Sequence, residues 1–168
     1  RYEIWTMQSA YHTLLPTLDG VMQAPGSDFK AGNVQSQTEK EKATFELEVA
    51  EAYPEEAGIE SWKRTVTLKR DEAVTIKDDY ALSNAPKILT MSLLTPCEVE
   101  VRSGLIMFKP TTVGLEEAQR ESSEGQLTFD KSLNVSVETV SITDDRLGGV
   151  VLGRLVAVEQ YPPAWFQP

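Results

Sequence analysis

The 168-residue chain holds a single histidine, His12, and a single cysteine, Cys97. Imidazole is the side chain that most readily takes and returns a proton near neutral pH, so His12 is the first residue to which acid–base chemistry can be assigned. A histidine-based metal centre needs two or three imidazoles or thiolates converging, and one of each cannot build a zinc site. Serine, histidine and aspartate are all present for a hydrolytic triad, but no Gly-x-Ser-x-Gly elbow sets their geometry. Glycine-rich phosphate loops of the Gly-x-Gly-x-x-Gly and Walker types are missing too. On chemistry alone His12 is either a proton-transfer group or, more plainly, a hydrogen-bonded structural histidine beside a strand.

The elements that must position such a group are strands. In Thr44-Phe45-Glu46-Leu47-Glu48-Val49 the apolar residues recur every second position and share one face. Residues 62–68 and 73–76 follow, separated by the charged turn Lys69-Arg70-Asp71-Glu72. Further short runs cover 87–94, 97–101, 104–108, 112–115, 126–129, 135–140 and 149–158. Nothing between them has the length and period of a crossover helix, so the pattern predicts an all-β, antiparallel β-sandwich. The best helical competitor, residues 39–52, alternates from Ala43 onward and reads as a strand in its second half. Residues 116–125 are polar and read as an exposed loop. Pro162-Pro163 closes the last strand, and Trp165 and Phe166 in the tail need a surface to bury them.

Composition narrows the partners. A chain of this length typically buries roughly 70% of its unfolded surface, enough for one core, and no repeat or Gly/Ser-rich linker divides it, so residues 1–168 read as a single domain. Hydrophobic residues at 40% and charged residues at 25% are ordinary globular usage. Sixteen Lys and Arg against 26 Asp and Glu give a net charge of −10, which argues against nucleic acid and anionic membranes as partners. No run approaches the roughly 18 apolar residues of a membrane helix. The lone cysteine allows no intrachain disulfide, so it carries no signal of redox compartment. The start, Arg1-Tyr2-Glu3, reads as that of a fragment of a longer chain.

The run YHTLLPTLDGVMQAPGSDFKAGNV, from Tyr11 onward, resembles the segment of heparinase II/III-like proteins in which a Ser-x-x-His-Asn pattern leads to a Gly and a Gln. AYPEEAGIESWKRTVTLKRDEAVTIKDDYAL is similar to the same family's Ala-Tyr-Pro segment, its Arg-containing strand and the acidic turn beyond. DDRLGGVVLGRLVAV is similar to its final Leu, Gly and Arg strand. The three lie in the family's order and span nearly the whole chain.

The resemblance implies the C-terminal sandwich domain of a lyase whose N-terminal helical toroid lies outside this sequence. Such lyases cleave uronic-acid polysaccharides by β-elimination in the cleft between the two domains. It further implies that His12 acts as base or helps neutralise the substrate carboxylate, and that Tyr53 enters the cleft. The plainer role for Tyr53 is a turn aromatic packed before Pro54. Gln23 could hydrogen-bond sugar hydroxyls, or be an ordinary exposed loop residue, whereas Arg64 reads as a sheet-face residue rather than a substrate clamp. The partners implied are an acidic polysaccharide and the helical domain, with no cofactor. Thr13 stands where many relatives have Asn, and Leu14 where some have a second, metal-binding His, so no metal is implied. Because the remaining catalytic residues belong to the helical domain, the isolated sandwich is expected to be inactive. The alternative is a non-catalytic carbohydrate-binding or structural β-sandwich module.

Overall fold

The computed structural model describes residues 7–113, 119–142 and 150–160. The fold is all-β and antiparallel, as a β-sandwich requires, and among the described residues no α-helix occurs. Single turns of 3-10 helix stand at Ser9–Tyr11, Ala50–Ala52 and Glu55–Ala57. The residues form two compact units, one holding residues 7–17 and the strands from Ile88 onward, the other Leu18–Lys87.

In the first unit a four-stranded sheet has the order β1 (Pro16–Leu18), β6 (Ile88–Thr95), β13 (Val150–Gln160), β12 (Asn134–Ile142). β6 and β13 are rich in β-branched and aliphatic residues that fit a pleated, covered surface. They pair over eight positions, with Leu155 opposite Leu93. Leu89 and Leu155 are buried, as is Ile106 from a second sheet ordered β11 (Gly125–Thr128), β8 (Leu105–Phe108), β7 (Val99–Arg102). β9 (Thr112–Val113) pairs with β10 (Arg120–Glu121).

The second unit is a four-stranded meander, β2 (Gly32–Thr38), β3 (Lys42–Glu48), β4 (Ile59–Lys69) and β5 (Ala73–Leu82). The charged stretch after Lys69 is the β4–β5 turn, where Asp71 adopts φ 60°. Phe45, Val66 and Ile76 are register partners across three strands, so the alternation places one apolar row on one face. Covering of that face is graded along it. Val49 and Trp62 are 3% and 0% exposed, whereas Phe45 and Val74, toward the hairpin tips, are 42% and 63% exposed.

Three elements differ from the sequence reading. β2, Gly-Asn-Val-Gln-Ser-Gln-Thr, has no apolar alternation because it is an edge strand whose residues past Gly32 are all exposed. β1 is too short for a periodic signal, and its position is fixed by pairing with β6. Arg120–Glu121, inside the stretch read as loop, is a two-residue strand held by β9. The Pro162-Pro163 stop and the Trp165–Phe166 tail lie outside the described residues, as do residues 143–149 of the final Gly- and Arg-containing segment.

Candidate functional site

The residues singled out by sequence fall in both units: His12 in the first, Gln23 and Tyr53 in the second.

His12 terminates the Ser9–Tyr11 turn in an extended conformation, its backbone N–H donating to the Ser9 carbonyl at 3.0 Å. Its side chain is exposed, so the imidazole can meet a solvent-borne substrate. The chain on either side is tied down. Leu14 N–H donates to the Ser92 carbonyl on β6 at 2.6 Å, and the Tyr11 ring lies under the Arg154 guanidinium, 5.2 Å from ring centroid to Cζ. Arg154 stands on β13 opposite Glu138 and donates from Nε and Nη2 to the Ser92 hydroxyl at 3.2 and 3.0 Å, and from Nη1 to Glu138 at 3.3 Å. The exposed histidine thus follows a tyrosine whose ring meets a largely buried cation, the charge of which is partly balanced by a half-exposed carboxylate.

Tyr53 follows the Ala50–Ala52 turn, which Glu48 organises by accepting from Ala50 N–H at 3.1 Å and Trp62 N–H at 2.5 Å. The phenol is 6% exposed. Burial pushes its pKa well above the tyrosine range; the positive field of Arg64 opposes that shift and Asp78 adds to it. At neutral pH Tyr53 is therefore a hydroxyl, able to donate a hydrogen bond, a weaker acid than a free tyrosine and unable to serve as a phenolate base. Arg64 is 6% exposed, on the sheet face beside Trp62, and pairs with Asp78. The sheet-face reading of Arg64 thus matches its position. Gln23 is half-buried, and the backbone bond from Ala24 N–H to the Ala52 carbonyl, 3.1 Å, lies one residue from Gln23 and one from Tyr53. That bond joins the two backbone segments.

Sequence reasoning passed over Arg154, Ser92 and Asp78. A signal existed for Arg154, the only charge in Val150-Val151-Leu152-Gly153-Arg154-Leu155-Val156, because a cation in an apolar strand must find partners. Among the described residues no three His, Cys, Asp or Glu side chains are grouped to hold a metal ion, and no helix is long and apolar enough to cross a membrane. Comparison of the chain with protein-family models gives no match, and comparison with curated proteins gives none either.

Proposed function

We propose that this chain is the β-sandwich part of a heparinase II/III-type polysaccharide lyase that cleaves uronic-acid polysaccharides by β-elimination, supplying one wall of an active site completed by a helical domain. In that reaction a base removes the proton on C5, next to the uronate carboxylate. The electrons pass through an enolate-like intermediate to form the C4–C5 double bond, and the 4-linked oxygen leaves with a proton. The observation that carries the reading is the exposed His12 on an anchored backbone, within a segment that resembles the family's histidine motif. An antiparallel all-β fold is what the sandwich half of such an enzyme requires.

The burial of Tyr53 favours a second reading, in which the second unit is structural support and the module binds carbohydrate without turning it over. One experiment separates the two. The full-length protein is given heparin, heparan sulfate, alginate and hyaluronan, and the absorbance of unsaturated uronate is followed for wild type and for His12→Ala. The lyase reading expects product from at least one polymer and a loss of about 10²–10⁴-fold in the variant. A folded protein that yields no product on any polymer, or an unimpaired His12→Ala, removes it.

A further inference from the structure

We infer that Arg154 is a positioning residue for His12, an assignment that rests on the lyase reading for its catalytic consequence but on the fold for its geometry. Arg154 comes from β13, far along the chain from His12, and reaches the histidine segment in two ways. Its guanidinium carbon lies over the ring of Tyr11, the residue before His12, 5.2 Å from the centroid. Its Nε and Nη2 converge on the hydroxyl of Ser92, whose own carbonyl accepts the Leu14 N–H two residues after His12. The backbone of His12 thus lies between Tyr11, whose ring meets Arg154, and Leu14, bonded to the carbonyl of the same Ser92 whose hydroxyl accepts from Arg154.

A backbone outlier supports this independently. Leu14 has φ +57°, the left-handed region that a leucine side chain disfavours. Such a conformation persists only where surrounding contacts impose it, and the Leu14–Ser92 hydrogen bond is one contact at that residue. Ser92 is 2% exposed, so in the intact protein its hydroxyl is covered rather than open to water. The Arg154 Nη1 that does not meet Ser92 donates to Glu138, which is half-exposed, at 3.3 Å. Arginine suits this place better than lysine, because only a planar fork can stack on Tyr11 while sending two N–H groups to one hydroxyl.

The test uses the full-length protein and three variants: Arg154→Ala, Arg154→Lys and, as the reference for the site, His12→Ala. Two quantities are read, steady-state kinetics on whichever of the four uronans is turned over and peptide-level hydrogen exchange over residues 8–16. Arg154→Ala is expected to lower kcat by about 10²-fold, the scale of a small displacement of a reacting group, with KM little changed. Exchange over residues 8–16 should rise while the peptides of β3 to β5 keep wild-type protection. Arg154→Lys should recover part of both, since it keeps the cation over Tyr11 and loses the fork. Wild-type exchange over residues 8–16 in Arg154→Ala overturns the assignment, as does a loss expressed in KM alone, or exchange that rises equally throughout the protein. If His12→Ala proves fully active, or no uronan is turned over, the lyase reading fails, and the exchange measurement still decides whether Arg154 holds the segment.

Discussion

Arg64 and Asp78 are register partners on β4 and β5, joined by two hydrogen bonds of 2.7 Å, Nε to Oδ1 and Nη2 to Oδ2. Their side chains are 8% and 9% exposed, so both charges have left water and are compensated by a fork-to-fork geometry. Removing one partner strands the other, which typically costs about 3–5 kcal/mol, whereas replacing both by apolar residues of similar volume is often neutral. Asp78→Ala is therefore expected to lower stability by that amount in a urea titration, and the double variant Arg64→Met/Asp78→Leu to recover most of it. A single variant costing under about 1 kcal/mol would place the pair with solvent-exposed ion pairs instead.

Tyr53 makes stability depend on alkaline pH. Burial raises the phenol's folded pKa above its unfolded value near 10. A group raised on folding contributes stability that is fully present below the unfolded pKa and is lost as pH climbs toward the folded one. Wild-type protein should accordingly lose denaturant resistance progressively above about pH 10, and Tyr53→Phe, which has no proton to release, should lose less over the same range. Parallel curves for the two proteins would remove Tyr53 as the source.

Most strands were legible because one covered face forces period two, and Phe45, Leu47 and Val49 carry that period whatever the rest of the chain does. β2 was not, since an edge strand open to water has no apolar face to betray it. The candidate site was legible only in part. His12 stands out as the sole histidine, and Gln23 and Tyr53 were named from motif order, but the Ala24–Ala52 backbone bond that joins their segments is encoded by no local pattern. The link from Arg154 to Ser92 spans 62 residues and the one from Arg64 to Asp78 spans 14. Both follow from strand pairing, so the partners become visible only once the register is known.

Gly58 offers a test of the turn that carries the chain from Tyr53 into β4. It ends the Glu55–Ala57 turn with φ 62° and ψ 26°, and its carbonyl accepts both the backbone N–H of Ser83 at 2.9 Å and the Ser83 hydroxyl at 3.2 Å. A Cβ at this position would stand 3.0 Å from the Ser83 Oγ. Gly58→Ala should cost about 1–2 kcal/mol from the left-handed backbone. Displacement of the hydroxyl would add to that loss. Gly58→Asn, which tolerates that conformation better, should cost less than Ala in the same titration. Equal losses for the two variants would show that space beside Ser83, rather than backbone conformation, sets the requirement.

Trp62 presents an energetic conflict that mutation can resolve. Its indole stacks on Tyr80, the register partner across β4 and β5, with centroids 4.4 Å apart and planes 11° from parallel. The side chain is fully buried, yet among the described residues nothing accepts from its Nε1–H. A buried donor without an acceptor costs about 1–3 kcal/mol, against which the protein sets the ring's area and its stack. Truncation to alanine removes both and should cost about 3–5 kcal/mol. Phenylalanine keeps a stacking ring and deletes the orphaned N–H, so Trp62→Phe should cost under about 2 kcal/mol, the recovered desolvation offsetting part of the lost volume. If Trp62→Phe instead loses as much as the alanine variant in urea titrations, the indole N–H is satisfied in solution, and an ordered water bridging it to a neighbouring carbonyl becomes the structural account of this core.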